Sequence, residues 1–356
     1  MKHYSYIVLY VILHVLFLFG IAYSFDEKDI LSKIDLPDES SGIEVFEEDI
    51  ITNGGGIEGK LHLTIFRPSL QGPLPAIILC PGSVEPASNW DFYFPPLTPQ
   101  FFAKRGFITI LWDPRGSFTL PVLGGDPFVI SHYFDSERYA IGESSRFPSA
   151  ILMLSKYFVD DLERVITYTY DELSGVDVNN IGVVGFSHGA TYPLIEQAIY
   201  NDNRIKLIYA IEPMGDEASL IDMFFNPMPG IGPLLVNTAE NIPQSLYETF
   251  LWEPLYNGLG ILGVATKYAD RVSCPVFIIQ SERYHASMSG TLRIGECKSP
   301  GLTMYSSITN SPFKKFNREP ANIPVEEIED FFPAPLWDDG QLLCDYFIEY
   351  IEPMLK

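Results

Sequence analysis

One run of residues, Asn179 to Ala190, narrows the architecture of this chain more than any other. It reads Asn-Asn-Ile-Gly-Val-Val-Gly-Phe-Ser-His-Gly-Ala. Ile181 to Phe186 is short, apolar and rich in β-branched residues, the pattern of a strand buried on both faces of a parallel sheet. It leads directly into Gly185-Phe186-Ser187-His188-Gly189, a G-x-S-x-G pattern, and Ala190 to Tyr200 then follows a helical pattern. A serine between such a strand and helix sits on a sharp turn, which forms only if its neighbours are small enough for the two elements to approach closely. Gly185 and Gly189 supply that room. The turn lifts the Ser187 hydroxyl above the sheet, near the positive end of the following helix.

The rest of the chain supplies the sheet. Ile43 to Ile51 and Ile57 to Phe66 alternate apolar and polar residues on either side of Asn53-Gly54-Gly55-Gly56, which predicts an opening hairpin. Pro75 to Leu79, Phe107 to Trp112, Leu207 to Ile211 and Pro275 to Ile279 read as buried strands, and Leu302 to Ile308 as the last one. Helices are expected over Leu97 to Arg105, Ile151 to Leu173 and Gly340 to Ile351; in the second, Leu162, Val165 and Ile166 share a face. Strands alternating with helices predict an α/β fold, with a mostly parallel central sheet covered on both faces.

Composition enters through the amino terminus and the charge. The run Ile7 to Ala22 has no acidic residue, lysine or arginine, follows Lys2 and His3, and ends at Ala22-Tyr23-Ser24. This predicts a secretory signal peptide over residues 1–24, cleaved near Ser24–Phe25, with an uncleaved membrane anchor through residues 7–22 as the alternative. An exported protein meets oxidising conditions, where Cys80, Cys274, Cys297 and Cys344 permit two disulfides or none. The formal charge of −23 argues against nucleic acid or an anionic membrane surface as partner. No metal-ligand cluster, phosphate-cradling glycine loop or dinucleotide fingerprint is present, so neither a metal nor another cofactor is expected.

In element order, residues 43 to 355 resemble the α/β-hydrolase superfamily. The resemblance rests on the Ser187 elbow, the Pro81-Gly82 turn and the Asp113-Pro114-Arg115-Gly116 turn. Two further stretches, Tyr209 to Glu217 and Pro275 to Glu282, are similar to the platelet-activating-factor acetylhydrolase branch, and a dienelactone-hydrolase-like likeness accompanies it. The resemblance implies one hydrolase domain over residues 25–356 and a cap inserted at 213–270. It also implies cleavage of carboxylic esters by a serine nucleophile through an acyl-enzyme. Phe224, Phe225, Phe250, Trp252, Leu255, Tyr256 and Ile261 would give the cap an apolar underside, suited to a small-molecule or lipid ester with a greasy acyl or alcohol part.

Such chemistry needs a base for the serine, an acid to orient the base, and two donors for the oxyanion. By resemblance the donors are the backbone N–H groups of His188 and Ser83, with Val84 as a substitute for the second. The base is harder to place. The family's histidine follows the last strand, yet Ser306 to Phe313 holds none, and His285 is the sole histidine beyond His188. Two accounts stand open. In one, His285 serves as base and Glu212, at the end of the preceding strand, as its acid, with Glu282 as the substitute. In the other the triad is broken, and the protein is an impaired homologue that binds rather than cleaves. Asp113 and Arg115 read as a structural turn, and His62 as peripheral.

Overall fold

The structure, a computed structural model, describes residues 42–53, 59–82, 90, 96–113, 157–186, 188–213, 269–281, 300–318 and 339–356. Within them lies one eight-stranded sheet. Its strands are β1 (Ile43–Thr52), β2 (Gly59–Pro68), β3 (Leu74–Cys80), β4 (Ile108–Trp112), β5 (Val176–Phe186), β6 (Ile205–Ile211), β7 (Val276–Ile279) and β8 (Lys314–Phe316). They stand in the order β1-β2-β4-β3-β5-β6-β7-β8. β1 and β2 form the expected hairpin, and β2 is antiparallel to β4. From β4 onward every neighbouring pair is parallel.

Both faces of the parallel strands are apolar, because alternate side chains feed two separate cores. Ala76, Ile78, Ile181, Val183, Ile208, Ala210, Val276 and Ile278 point to one face. There they meet α2 (Tyr157–Thr167), α3 (His188–Tyr200) and α4 (Pro300–Ser307), through residues such as Leu162, Val165, Leu194, Ile195 and Met304. Ile77, Leu79, Val184, Phe186, Leu207, Tyr209, Phe277 and Ile279 point to the other. That face is covered by α1 (Pro99–Lys104), α5 (Gly340–Tyr346), a π-helical turn at Phe347–Ile351 and α6 (Glu352–Leu355). Phe347 is the hub of this side, edge-on to Phe101, Phe102 and Phe107. Thr98 caps α1 by accepting the Phe101 N–H at 3.2 Å, and Pro99 opens the helix where no N–H is needed.

One strand expectation fails. Leu302 to Ile308 is not the last strand but most of α4 and its exit. Gly301, Met304, Tyr305 and Ile308 are buried while Ser306 is exposed, which is helical spacing rather than alternation. Among the described residues the last strand is β8, only three residues long, with Phe316 as its one apolar residue. Cys80, Cys274 and Cys344 are buried free thiols, so the disulfide option is not taken at these positions. Burial pushes the Cys80 and Cys344 thiols up to about 12, which removes them as nucleophiles at neutral pH. The amino-terminal segment 1–41 and residues 214–268 of the expected cap lie outside the described residues. Among the described residues no helix is long and apolar enough to cross a membrane.

Candidate active site

The carboxyl ends of β3, β5, β6 and β7 lie side by side, in register through Cys80↔Gly185, Phe186↔Ile211 and Ile211↔Ile279. In an open parallel sheet this edge is where ligands bind. Here β5 gives way to α3 within one residue: the strand ends at Phe186 and the helix begins at His188. Only extreme closeness of backbones allows that. A Cβ on Gly185 would lie 2.1 Å from the Gly189 carbonyl oxygen and 2.7 Å from the Ala190 Cα. A Cβ on Gly189 would lie 2.2 Å from the carbonyl oxygens of both Cys80 and Pro81. The two glycines of the G-x-S-x-G pattern are therefore steric necessities. The second also seats the first turn of α3 directly against the turn leaving β3.

The contact carries a consequence for charge. N–H groups in the first turn of a helix have no intrahelical partner, so the start of α3 at His188 offers donors and a positive dipole end at the sheet's edge. Pro81 and Gly82 bring the next loop to the same place, Gly82 lying so close to Phe186 that a Cβ would come within 2.8 Å of its ring. Ser187 and Ser83, the expected nucleophile and one of the expected donors, lie outside the described residues, as do Val84, Glu282 and His285. His188 is placed as the first residue of α3.

Glu212 is the one expected acid that the structure describes. It follows the last residue of β6, as Ser187 follows the last residue of β5, and Phe186 and Ile211 are partners. Glu212 is wholly buried, and its φ of 52° is left-handed. For a glutamate that conformation costs about 1–2 kcal/mol, which glycine would not incur. It persists because the surroundings hold it: Glu212 N–H donates to the Ile279 carbonyl at 2.8 Å. Its Oε1 accepts from the Ser281 N–H at 2.9 Å and from the Ser281 hydroxyl at 2.5 Å.

Sequence reasoning assigned no role to Ser281, Gln280 or Asn317, although each is wholly buried at this edge. A Gln-Ser pair directly after an apolar strand was a visible signal. Asn317 was not, because it follows β8, a strand whose sequence gives no strand signal. His62 lies on the opening hairpin, its Nδ1 2.9 Å from Asp49 Oδ1, so its peripheral reading stands. Among the described residues, no cluster of three or more His, Cys, Asp or Glu could hold a metal ion.

No protein-family model and no curated protein sequence matches the chain. Solved structures do. An esterase of Pyrococcus furiosus aligns with a TM-score of 0.50 at 14% identity, over 94% of this chain and 97% of that one. An acylaminoacyl peptidase of Pyrococcus horikoshii aligns with a TM-score of 0.49 at 15% identity, over 94% of this chain and 46% of the peptidase. A bacterial brefeldin A esterase gives 0.46 at 15% identity, over 94% of this chain and 91% of that one. Identities this low speak to architecture and not to activity. Strand order, the antiparallel start, the abrupt β5–α3 turn and the first of these likenesses agree: the chain has the α/β-hydrolase fold.

Proposed function

We propose that the protein is a serine hydrolase that cleaves carboxylic esters with an apolar acyl or alcohol part. Ser187 attacks the carbonyl carbon, His285 takes its proton and returns it to the leaving alcohol, and Glu212 orients the imidazole. The backbone N–H groups of His188 and Ser83 receive the charge on the carbonyl oxygen, and water repeats the sequence on the acyl-enzyme. The observation that carries this reading is Glu212. A wholly buried glutamate in a left-handed conformation, one register step from the elbow strand, is a strained placement of the kind that functional sites retain. A core position without such a role would hold glycine or an apolar residue. Export through the segment at residues 1–24, followed by action outside the cell, belongs to the same proposal. So does a cap over residues 213–270 that shapes the pocket.

One observation favours the rival reading, a homologue that binds without cleaving. With the last strand now at Lys314–Phe316, the segment that follows it still contains no histidine. Labelling of the purified chain with a fluorophosphonate probe separates the two. The proposal expects labelling that disappears in Ser187→Ala and falls about a thousandfold in rate in His285→Ala and Glu212→Gln. A wild-type chain that labels no faster than Ser187→Ala would leave the binding reading. Labelling lost in Ser187→Ala but unchanged in His285→Ala would mean that another group serves as base.

A further inference from the structure

The carboxyl ends of β6, β7 and β8 are tied together by side chains as well as by the strand ladder. Gln280 N–H donates to Asn317 Oδ1 at 2.8 Å, and Gln280 Oε1 accepts the Gly301 N–H at 2.8 Å. Asn317 N–H donates to the Ile278 carbonyl at 2.7 Å. Asn317 is itself left-handed, with φ 48°. These bonds fix Gln280, the residue before Ser281, from the end of β8 and the start of α4. Ser281 in turn places two donors, its N–H and its hydroxyl, on the single oxygen Oε1 of Glu212. Two donors on one carboxyl oxygen set the plane of the group, since rotation about its last torsion would break both. The clamp comes from β7, the side of β6 opposite to β5 and the elbow.

We infer that Ser281 is a positioning residue for the reaction: it holds the Glu212 carboxylate in the one orientation an imidazole needs. The inference rests on the proposed role of Glu212. Ser281 is wholly buried, so it acts on the substrate only through the acid. Backbone N–H alone would satisfy Oε1 as an acceptor. The added hydroxyl makes rotation of the carboxylate cost two bonds instead of one, and it is the group a substitution can delete while the backbone bond remains.

The test measures kcat and KM of the full chain with p-nitrophenyl butyrate, for wild type, Glu212→Gln, Ser281→Ala and the double variant. Loss of a hydrogen bond to a charged group predicts that Ser281→Ala lowers kcat about ten- to a hundredfold. KM should stay within about twofold, because binding is untouched. In the Glu212→Gln background the same change should cost nothing further, since the group it positions is gone. A role confined to folding would lower activity equally in both backgrounds, and that result overturns the inference. So does Ser281→Ala with the wild-type kcat. A Glu212→Gln variant with the wild-type kcat, or a wild type without turnover, overturns the role of Glu212 itself, and with it this inference. If Ser281→Ala does not fold, Ser281→Cys keeps the shape with a much weaker donor and carries the same comparison.

Discussion

Glu196, on the elbow helix α3, offers a test of the structure that is independent of any activity. The residue is wholly buried and feels the carboxylate of Asp202, which is in turn held by Arg204 Nε and Nη2. Burial first, and then the negative charge of Asp202, push the Glu196 carboxyl from its ordinary 4.5 up to about 9. Burial also works against ionising Asp202, but the Arg204 guanidinium and backbone N–H outweigh it and hold that carboxyl below 3.8. The pair thus keeps one proton at neutral pH, on Glu196. Arg204 is anchored further by Glu163 and Thr167.

The sign follows from proton counting. Between about pH 5 and about pH 8 the unfolded chain has released the Glu196 proton and the folded chain has not. Stability then falls with rising pH by about 1.4 kcal/mol per pH unit. From the ordinary 4.5 to pH 7 this single group costs about 3 kcal/mol. Asp202 acts in the opposite sense, but its contribution is lost only as pH falls below its ordinary 3.8, outside this window. Glu196→Gln has the shape of the protonated acid and an N–H to give Asp202, without a proton to release. Its stability should match wild type near pH 5 and exceed it by about 3 kcal/mol near pH 7, widening steadily between. Urea denaturation of both proteins at several pH values reads this directly. Parallel stability curves, or a variant weaker than wild type throughout, would refute the shared-proton arrangement.

Other substitutions test the edge of the sheet. Gly185→Ala and Gly189→Ala each drive a Cβ to within 2.2 Å of a backbone carbonyl, so each should cost about 3 kcal/mol or more and show as lost soluble yield or a large fall in thermal midpoint. Glu212→Gly should be more stable than Glu212→Ala by about 1 kcal/mol in urea denaturation, because glycine adopts the left-handed backbone without strain. Equal stabilities would mean that the backbone relaxes there. At Asn317, the glycine variant keeps the backbone and loses the bond to Gln280, at a cost of about 1–2 kcal/mol. The alanine variant should lose about 1 kcal/mol more, since it adds the strain.

How far the sequence revealed the molecule depended on where the information lay. The inner parts of β3, β5, β6 and β7, residues 76–80, 181–186, 207–211 and 276–279, are continuous buried runs of apolar residues and glycine, and such runs are visible in a single sequence. The elbow was visible for a related reason: two glycines at fixed spacing are demanded by main-chain clearances of about 2 Å, which no other residue meets. β8 offered no comparable signal. Lys314 and Lys315 place their ammonium groups on backbone carbonyls and over the Tyr305 and Tyr350 rings, so its polarity is consumed locally and its pattern reads as a loop. Meanwhile Leu302 to Ile308 is apolar enough to imitate a strand, and only its burial at helical spacing settles the matter.

The two halves of the candidate site are built on different principles. The elbow side, from Cys80 to Gly189, is held by backbone against backbone, and a change there acts through sterics. On the acid side, from Glu212 through Ser281 and Gln280 to Asn317, the links are side-chain hydrogen bonds across three strand ends. Such bonds contribute about 1 kcal/mol each to stability, yet their directionality fixes an orientation to within a fraction of an ångström. Packing alone cannot aim a carboxylate, because an apolar wall is indifferent to rotation about the last torsion. A donor pair is not indifferent. Substitutions on the elbow side should therefore be read in yield and thermal midpoint, whereas those on the acid side should leave a folded protein and be read in kcat. A folded, wild-type-like Gly185→Ala, or an unfolded Ser281→Ala beside an unfolded Ser281→Cys, would break that division.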